Sequence, residues 1–436
     1  MNNKINVFKN KNYALLFYGV LVSNVAHILF NFVMSLYVLR IAKEVYGDTY
    51  APLVQGIYLG LAGIVLVAFM PFGGVLADRI NKVKIMYRTD YIRGFVILLV
   101  GLVIFMNPSS MTKLIFLFIM NLILGMNSAF FNPASGSLLK FIVTDEELPQ
   151  ASSYLHGSMN LQNIAGLILG GIMFSLLNVY SIFFINGIAY LISAVTEMFI
   201  KYDHSNHSNL EETPKVMQDM KAGIKYLYNY KPMFSLIIMA LSLNFFIVPI
   251  INNGFPYFID YGLKSETSYL FMNFLTVENW YSLILVSFSI SGIIMAIILS
   301  RRAKKESYGN DLINAIVAFG FAIVSMSIIM ILYYTNVIPI NLTLILTVIA
   351  CLFAGLASTA FNVPVQIIMQ NSIDPKQLGK VVSVSSVLSQ ALIPIASLIA
   401  GFVISQFSII WLYILCTIGL IVVIVIYRKQ KTYMEI

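Results

Sequence analysis

The sequence predicts an all-α, polytopic membrane protein with twelve transmembrane helices in two pseudo-symmetric six-helix bundles, on three observations. First, hydrophobic residues make up 59% of the 436 positions and charged residues 11%, far from the roughly 25% charged content of soluble domains; mean hydropathy is +0.85. Second, the apolar runs reach 20 residues or more, the length of a spanning helix and about twice that of a barrel strand. Third, these runs fall in two sets of six around the longest polar stretch of the chain.

Taken in order, the first six spans cover 13 to 39, 52 to 76, 86 to 106, 113 to 137, 150 to 173 and 179 to 200. The second six cover 232 to 258, 279 to 300, 311 to 334, 341 to 370, 379 to 404 and 408 to 427. The first run follows Lys4, Lys9 and Lys11 and lacks a small-residue cleavage pattern, so it is expected to be a retained helix and not a signal peptide. The expected organisation is an N-terminal bundle over 1–200, a linker over 201–231 and a C-terminal bundle over 232–436. In the linker, Met217, Met220, Ile224 and Leu227 recur at helical spacing beside Lys215, Lys221 and Lys225, the pattern of an interfacial helix.

Alternate connections carry unequal positive charge: 22 Lys and Arg on the side of the termini and linker, against Arg40, Lys43, Lys113 and Lys264 on the other. The positive-inside rule therefore predicts a multi-pass protein of the cell membrane with both termini cytoplasmic. The net charge of +8 is spread over short connections with no continuous patch, which argues for anionic lipid and against nucleic acid. Cys351 and Cys416 both lie in apolar runs, so neither a disulfide framework nor a metal site is expected. A shift of 230 residues aligns Gly125, Ser128, Phe131 and Asn132 with Gly355, Ser358, Phe361 and Asn362, and Leu148, Ser153, Gly171 and Ser175 with Leu378, Ser383, Gly401 and Ser405. That placement, in the fourth and fifth against the tenth and eleventh spans, is what duplicated transporter halves require.

Between the second and third spans stands Gly73-Gly74-Val75-Leu76-Ala77-Asp78-Arg79-Ile80-Asn81-Lys82-Val83-Lys84. The glycines allow close helix approach, the acid suits a helix N-terminus and the bases suit anionic lipid. This loop resembles that of the major facilitator superfamily. Phe131-Asn132-Pro133-Ala134, Glu147-Leu148, Gln150-Ala151-Ser152-Ser153, Asn362-Val363-Pro364, Gln370, Leu378-Gly379-Lys380-Val381 and Pro394 further resemble its macrolide-efflux-like branch.

The resemblance implies the major facilitator fold and a monomeric secondary transporter without cofactor, exporting amphipathic small molecules such as macrolide-like drugs in exchange for protons by alternating access. Because Asp78 lies at the membrane surface in the loop, it is expected to gate the path with Gly74, Arg79 and Lys82, docking on the start of the eleventh span near Gly379 and Lys380. Gly166, Gly170 and Gly171 resemble the packing glycines of drug/proton antiporters, with Gln162 where that pattern has another glycine and Leu167 where it has proline. Asn81 replaces the loop's second glycine, a change expected to be tolerated because Asn adopts left-handed backbone more readily than most residues.

Polar residues at helical spacing then mark a candidate substrate path: Asn24, His27, Asn31 and Ser35 in the first span; Asn121, Gly125, Ser128, Asn132 and Ser135 in the fourth; Ser152, His156, Asn160 and Asn163 in the fifth. Asn244 in the seventh span, Gly355, Ser358 and Asn362 in the tenth, and Ser383, Ser386 and Gln390 in the eleventh extend it. The bland reading of any one of them is interhelical glue. His27 and His156 lie deepest and have the ring chemistry for proton exchange near neutrality. Asp90, Arg93, Glu197 and Asp311 fall near span ends, where snorkelling accounts for them. The abundant Tyr, Phe and Met are expected to face lipid and neighbouring helices. No His-Glu-x-x-His, Gly-x-Ser-x-Gly or Gly-x-x-x-x-Gly-Lys-Ser/Thr run is present, which argues against a membrane enzyme and an ATP-driven pump. Two other readings stay open: a carrier, importer or exporter, of one dedicated metabolite, and a non-transporting scaffold or receptor that uses the loop around Asp260, Lys264, Glu266 and Glu278.

Overall fold

Hydrogen bonding within helices is what lipid demands of a spanning backbone, and the computed structural model meets that demand throughout. It describes residues 6–202, 225, 227–301, 308–373, 385 and 387–429, and among them there is no strand. The first helix, α1 (Lys11–Arg79), has 69 residues. At 1.5 Å per residue it is ~100 Å long, over three times the ~30 Å hydrocarbon thickness. It therefore holds two spans, and the chain breaks between them at Gly47, whose φ of 75° suits a residue without Cβ.

There follow α2 (Lys82–Phe105), α3 (Ser110–Ile142), α4 (Leu148–Leu176) and α5 (Val179–Met198), then α6 (Lys231–Pro249) running on through short helical turns to Ser265. The chain ends with α7 (Val277–Ser300), α8 (Gly309–Tyr334), α9 (Ile340–Ser372), α10 (Ile393–Gln406) and α11 (Ile409–Lys429). Ten described helices are long and apolar enough to cross a bilayer, α1 counting as one of them. Dividing α1 at Gly47 gives an eleventh crossing. The twelfth is α2, whose 24 residues have the required length although Lys82, Lys84, Arg88, Asp90 and Arg93 dilute its hydropathy. Ile92, Phe95, Leu99, Leu102 and Phe105 are exposed along one side of α2 while Ile97, Val100 and Ile104 are buried on the other, as a helix between lipid and protein requires.

Side-chain caps set several helix starts. The Asn10 carboxamide accepts from the amides of Asn12 and Tyr13, Ser109 from Thr112 and Thr276 from Asn279, each satisfying an otherwise orphaned donor. Asn81 acts in the same way: it accepts from the Lys84 amide at the start of α2 with a φ of −53°. Its acceptance in place of glycine is thus explained by capping and not by left-handed backbone. Glu147 and Gln150 have a structural task as well. The Asn10 Nδ2 donates to Glu147 Oε2 at 3.1 Å and the Val7 amide to Gln150 Oε1 at 3.1 Å, fastening the N-terminal segment to the start of α4.

The chain divides into two compact units, Met1–Ile41 with Leu61–Val216, and Ala42–Gly60 with Met217–Ile436. In the first, α2 and α5 pack closely, and α3 leans on the second arm of α1, where a Cβ at Gly125 would lie 2.7 Å from the Ala62 carbonyl oxygen. In the second, α9 packs on α7 and α8, and Gly355 abuts the Phe288 carbonyl. The repeat-related glycines Gly125 and Gly355 thus make corresponding contacts, each within its own unit. Residues 42–60, in sequence part of 1–200, pack within the second unit, where a Cβ on Gly56 would lie 2.9 Å from the Gly401 Cα. Most of the linker, including Met217, Met220 and Ile224, lies outside the described residues; Leu227 is fully buried.

Candidate functional site

The polar face of α1 separates into two functions by its neighbours. Asn24 Nδ2 donates to Gln162 Oε1 of α4 at 3.0 Å, and Gln162 Nε2 donates to Ser158 Oγ at 2.9 Å. Further along the same seam, a Cβ on Gly166 would lie 2.7 Å from Ile28 Cβ and one on Gly170 2.8 Å from Phe32 Cδ1. Residues 24, 28 and 32 therefore meet 162, 166 and 170, a four-residue step on both helices. Gln162, the departure from the glycine pattern, is accommodated by an amide pair where a glycine would leave room. Gly171 is buried beside this seam.

His27 and Asn31, by contrast, are exposed. Asn31 Nδ2 lies 3.0 Å from His27 Nε2, and Tyr190 Oη of α5 lies 3.1 Å from His27 Nδ1. With the amide donating to Nε2, the neutral ring carries its hydrogen on Nδ1 and donates to Tyr190. Asn132 of α3 and Asn160 and Asn163 of α4 are also exposed, and Ser128 is half-buried. The side chain of His156 lies outside the described residues. In the second unit, Asn362 is exposed with Nδ2 donating to the Ser358 carbonyl at 3.0 Å, Asn244 Nδ2 donates to the Ser389 carbonyl at 2.9 Å, and Gln390 is exposed. Ser383 and Ser386 lie outside the described residues.

At the predicted gate, Gly74 sits half-buried in the last turns of α1 and Arg79 ends that helix. Lys82, expected to face lipid, is buried instead: Nζ donates to the Ala77 carbonyl at 2.7 Å and lies 5.2 Å from the Phe141 ring centroid. A cation there satisfies a C-terminal carbonyl of α1. The Asp78 side chain, Gly379 and Lys380 lie outside the described residues.

The larger correction concerns Asp90, Arg93 and Glu197, which are not snorkelling groups. Asp90 and Glu197 are 0% exposed and Arg93 is 7% exposed. Their meeting follows from the register of α2 on α5. A Cβ on Gly94 would lie 2.9 Å from the Gly187 carbonyl oxygen, and one on Gly187 3.0 Å from that of Gly94. Only backbones this close set two antiparallel helices so tightly, and one turn before Gly94 the Asp90 carboxylate then reaches the stretch of α5 that carries Ser193 and Glu197.

Asp90 Oδ1 accepts from Arg93 Nη1 at 3.0 Å, and Arg93 Nη2 donates to Ser128 Oγ at 3.1 Å. The guanidinium carbon lies 4.6 Å from the Phe131 ring centroid and 5.7 Å from that of Tyr190. Glu197 is an electrostatic neighbour of both Asp90 and Arg93, yet its two carboxyl oxygens and Asp90 Oδ2 are buried without a hydrogen-bond partner. The sequence signal available for this cluster was an Asp-x-x-Arg pair inside a span together with a Glu in the partner span; what it lacked was the register.

A cavity of 790 Å³ lies in the second unit among α7, α8 and α9, mostly apolar, with Asp311 and Asn314 in its wall and Met295, Phe353 and Pro364 around it. Asn244, Ser358, Asn362 and Gln390 are not among its lining residues. No group of three His, Cys, Asp or Glu arranged to hold a metal ion occurs among the described residues.

Comparison with known proteins agrees with this geometry. The family profile of the Major Facilitator Superfamily matches residues 20–392. A Bacillus subtilis (strain 168) protein named as a candidate bacilysin exporter, BacE, is 29% identical over 195 residues, 42% of this chain and 47% of its own length. Macrolide efflux protein A of Streptococcus pyogenes is 22% identical over 257 residues, 57% of this chain and 60% of its own. The chain thus spans about half the length of these curated relatives. Among solved structures, the nucleoside transporter NupG superposes with a TM-score of 0.66 at 15% identity, over 96% of this chain and all of the other, a likeness of fold.

Proposed function

Because the chain belongs to the Major Facilitator Superfamily, we propose that this transporter is a secondary exporter of amphipathic small molecules such as macrolide-like drugs, exchanging them for protons by alternating access. The observation that carries the reading is the set of exposed polar side chains in the otherwise apolar spans of the first unit: His27 and Asn31 on α1, Asn132 on α3, and Asn160 and Asn163 on α4. Amides and an imidazole are costly against hydrocarbon and are at ease against water, so they line a wet path. Such a lining is uncharged. It binds neutral and amphipathic solutes by hydrogen bonding and does not select by charge.

The names of two relatives, a macrolide efflux protein and a candidate bacilysin exporter, support outward transport. The excess of Lys and Arg on the side of the termini and linker supports a cell-membrane protein with those segments cytoplasmic and the two halves divided at 201–231. The working unit is a monomer. In this reading Asp78, with Gly74, Arg79 and Lys82, latches the cytoplasmic side through the start of the eleventh span. Expression in a host lacking its own pumps tests the function: macrolide resistance that disappears on collapse of the proton gradient is expected, with accumulation in everted vesicles. Accumulation confined to right-side-out vesicles overturns export, and resistance that survives collapse overturns coupling.

A further inference from the structure

We propose that the buried Asp90–Glu197 pair is the site where the exchanged proton binds. The inference rests on the reading of the chain as a proton-coupled transporter, and it assigns the proton to two residues away from the exposed polar path. Charge counting carries it. The pocket holds two carboxyl groups and one guanidinium, all nearly or fully inaccessible. Arg93 directs one N–H to Asp90 Oδ1 and one to Ser128 Oγ, and none of its remaining donors reaches Glu197, whose two oxygens are unpartnered.

The remaining neighbours do not supply a countercharge. From α5 come the Tyr190 hydroxyl, which accepts from His27, and Ser193, whose hydroxyl donates to the Gly19 carbonyl at 3.1 Å and also lies within hydrogen-bonding range of Asp90. Thr196 donates to the Ser193 carbonyl at 2.7 Å. From α1, Gly19 presents backbone, where a Cβ would lie 3.7 Å from Glu197 Cγ, and the titratable His27 ring, an electrostatic neighbour of Arg93, lies beyond Tyr190 as a neutral imidazole hydrogen-bonded through both nitrogens. From α3 come Ser128 and the Phe131 ring. With both acids ionised the pocket holds a net negative charge in a medium of low dielectric, an unfavourable state. One added proton, on either acid of the electrostatically coupled pair, makes it neutral.

The pocket is wired to the path. Arg93 touches Ser128 on the polar face of α3 and stacks toward Tyr190, whose hydroxyl meets His27. Binding or release of the proton changes the pull on Arg93 and so the polar face that meets solute. The proton arrives from water as H⁺, adds to a carboxylate oxygen and leaves by the same bond, with no other reactant.

Two measurements on the purified full-length protein test this. Infrared difference spectra on acidification should show the carbonyl stretch of a buried carboxylic acid in wild type and lose it in Glu197→Gln. In proteoliposomes, Glu197→Gln should retain equilibrium exchange of radiolabelled erythromycin and lose its accumulation under a proton gradient. A Glu197→Gln protein that keeps both the band and the accumulation overturns the assignment, as does accumulation driven by a sodium gradient at fixed pH with no titrating carboxyl. If wild type accumulates no erythromycin, the transport reading fails and the infrared band alone decides the site. If Glu197→Gln does not fold, Glu197→Asp replaces it: a shifted midpoint of the band supports the assignment and an unchanged one overturns it.

Discussion

Arg93→Met is the most informative single change. It removes the guanidinium that donates to Asp90 at 3.0 Å and to Ser128 at 3.1 Å while preserving most of the side-chain volume against Phe131 and Tyr190. Deleting one partner of a buried pair costs about 3–5 kcal/mol, because the remaining charge is stranded. For a unit the size of Met1–Ile41 with Leu61–Val216, at about 2–4 °C per kcal/mol, that is a fall in Tm of about 6–20 °C. The sign of the pH dependence follows from the chemistry. Two stranded carboxylates are tolerated once protonated, so the deficit should be large at neutral and alkaline pH and shrink as the solution is acidified. Thermal melting of the detergent-solubilised protein across pH measures it. Asp90→Asn combined with Arg93→Met should recover most of the loss, as a double-mutant cycle reads it. An Arg93→Met protein that melts like wild type at alkaline pH would refute the electrostatic reasoning.

Gly170→Leu should cost about 1–3 kcal/mol, since its first side-chain atom would already sit 2.8 Å from Phe32 Cδ1; a melting temperature equal to wild type shows that the α1–α4 seam yields freely. Lys82→Met removes the cationic donor to the Ala77 carbonyl and should lower stability by about 1.5–3 kcal/mol, with Lys82→Arg less affected, both read by thermal melting. His27→Ala gives up two hydrogen bonds of about 0.5–1.5 kcal/mol each, so where the transport cycle uses them erythromycin flux should fall by about 5- to 150-fold with the fold intact. Asp78→Asn should slow transport while leaving expression unchanged, and full retention of rate removes the latch.

Most of the helical layout was legible because span length and hydropathy report directly on the bilayer. The fusion of the first two spans was not: residues 40–51 contain one glycine and no proline before Pro52, so helix continues past the end of the apolar run until Gly47 alone interrupts it. The polar residues of α1 were visible at helical spacing, but spacing cannot say which partner each finds. Asn24 turned toward Gln162 and His27 toward Tyr190 because of the contacts of α4 and α5, information held in the register between helices. The same gap hid the acid pair. Asp90, Arg93 and Glu197 lie near span ends in one dimension, where a long side chain ordinarily reaches water, and only the apposition of Gly94 and Gly187 turns them inward. Gln162 and Asn81, read as departures from a familiar pattern, prove to be substitutions with partners of their own.

That glycine apposition has a consequence for anyone wishing to transplant the acid pair into another scaffold. A graft of the three ionisable side chains alone would fail, since methyl groups at 94 and 187 would each meet a carbonyl oxygen at about van der Waals overlap distance or closer and prise the two rods apart. The portable module is five residues, two of them bare backbone, and the silent members decide whether the charged ones ever meet.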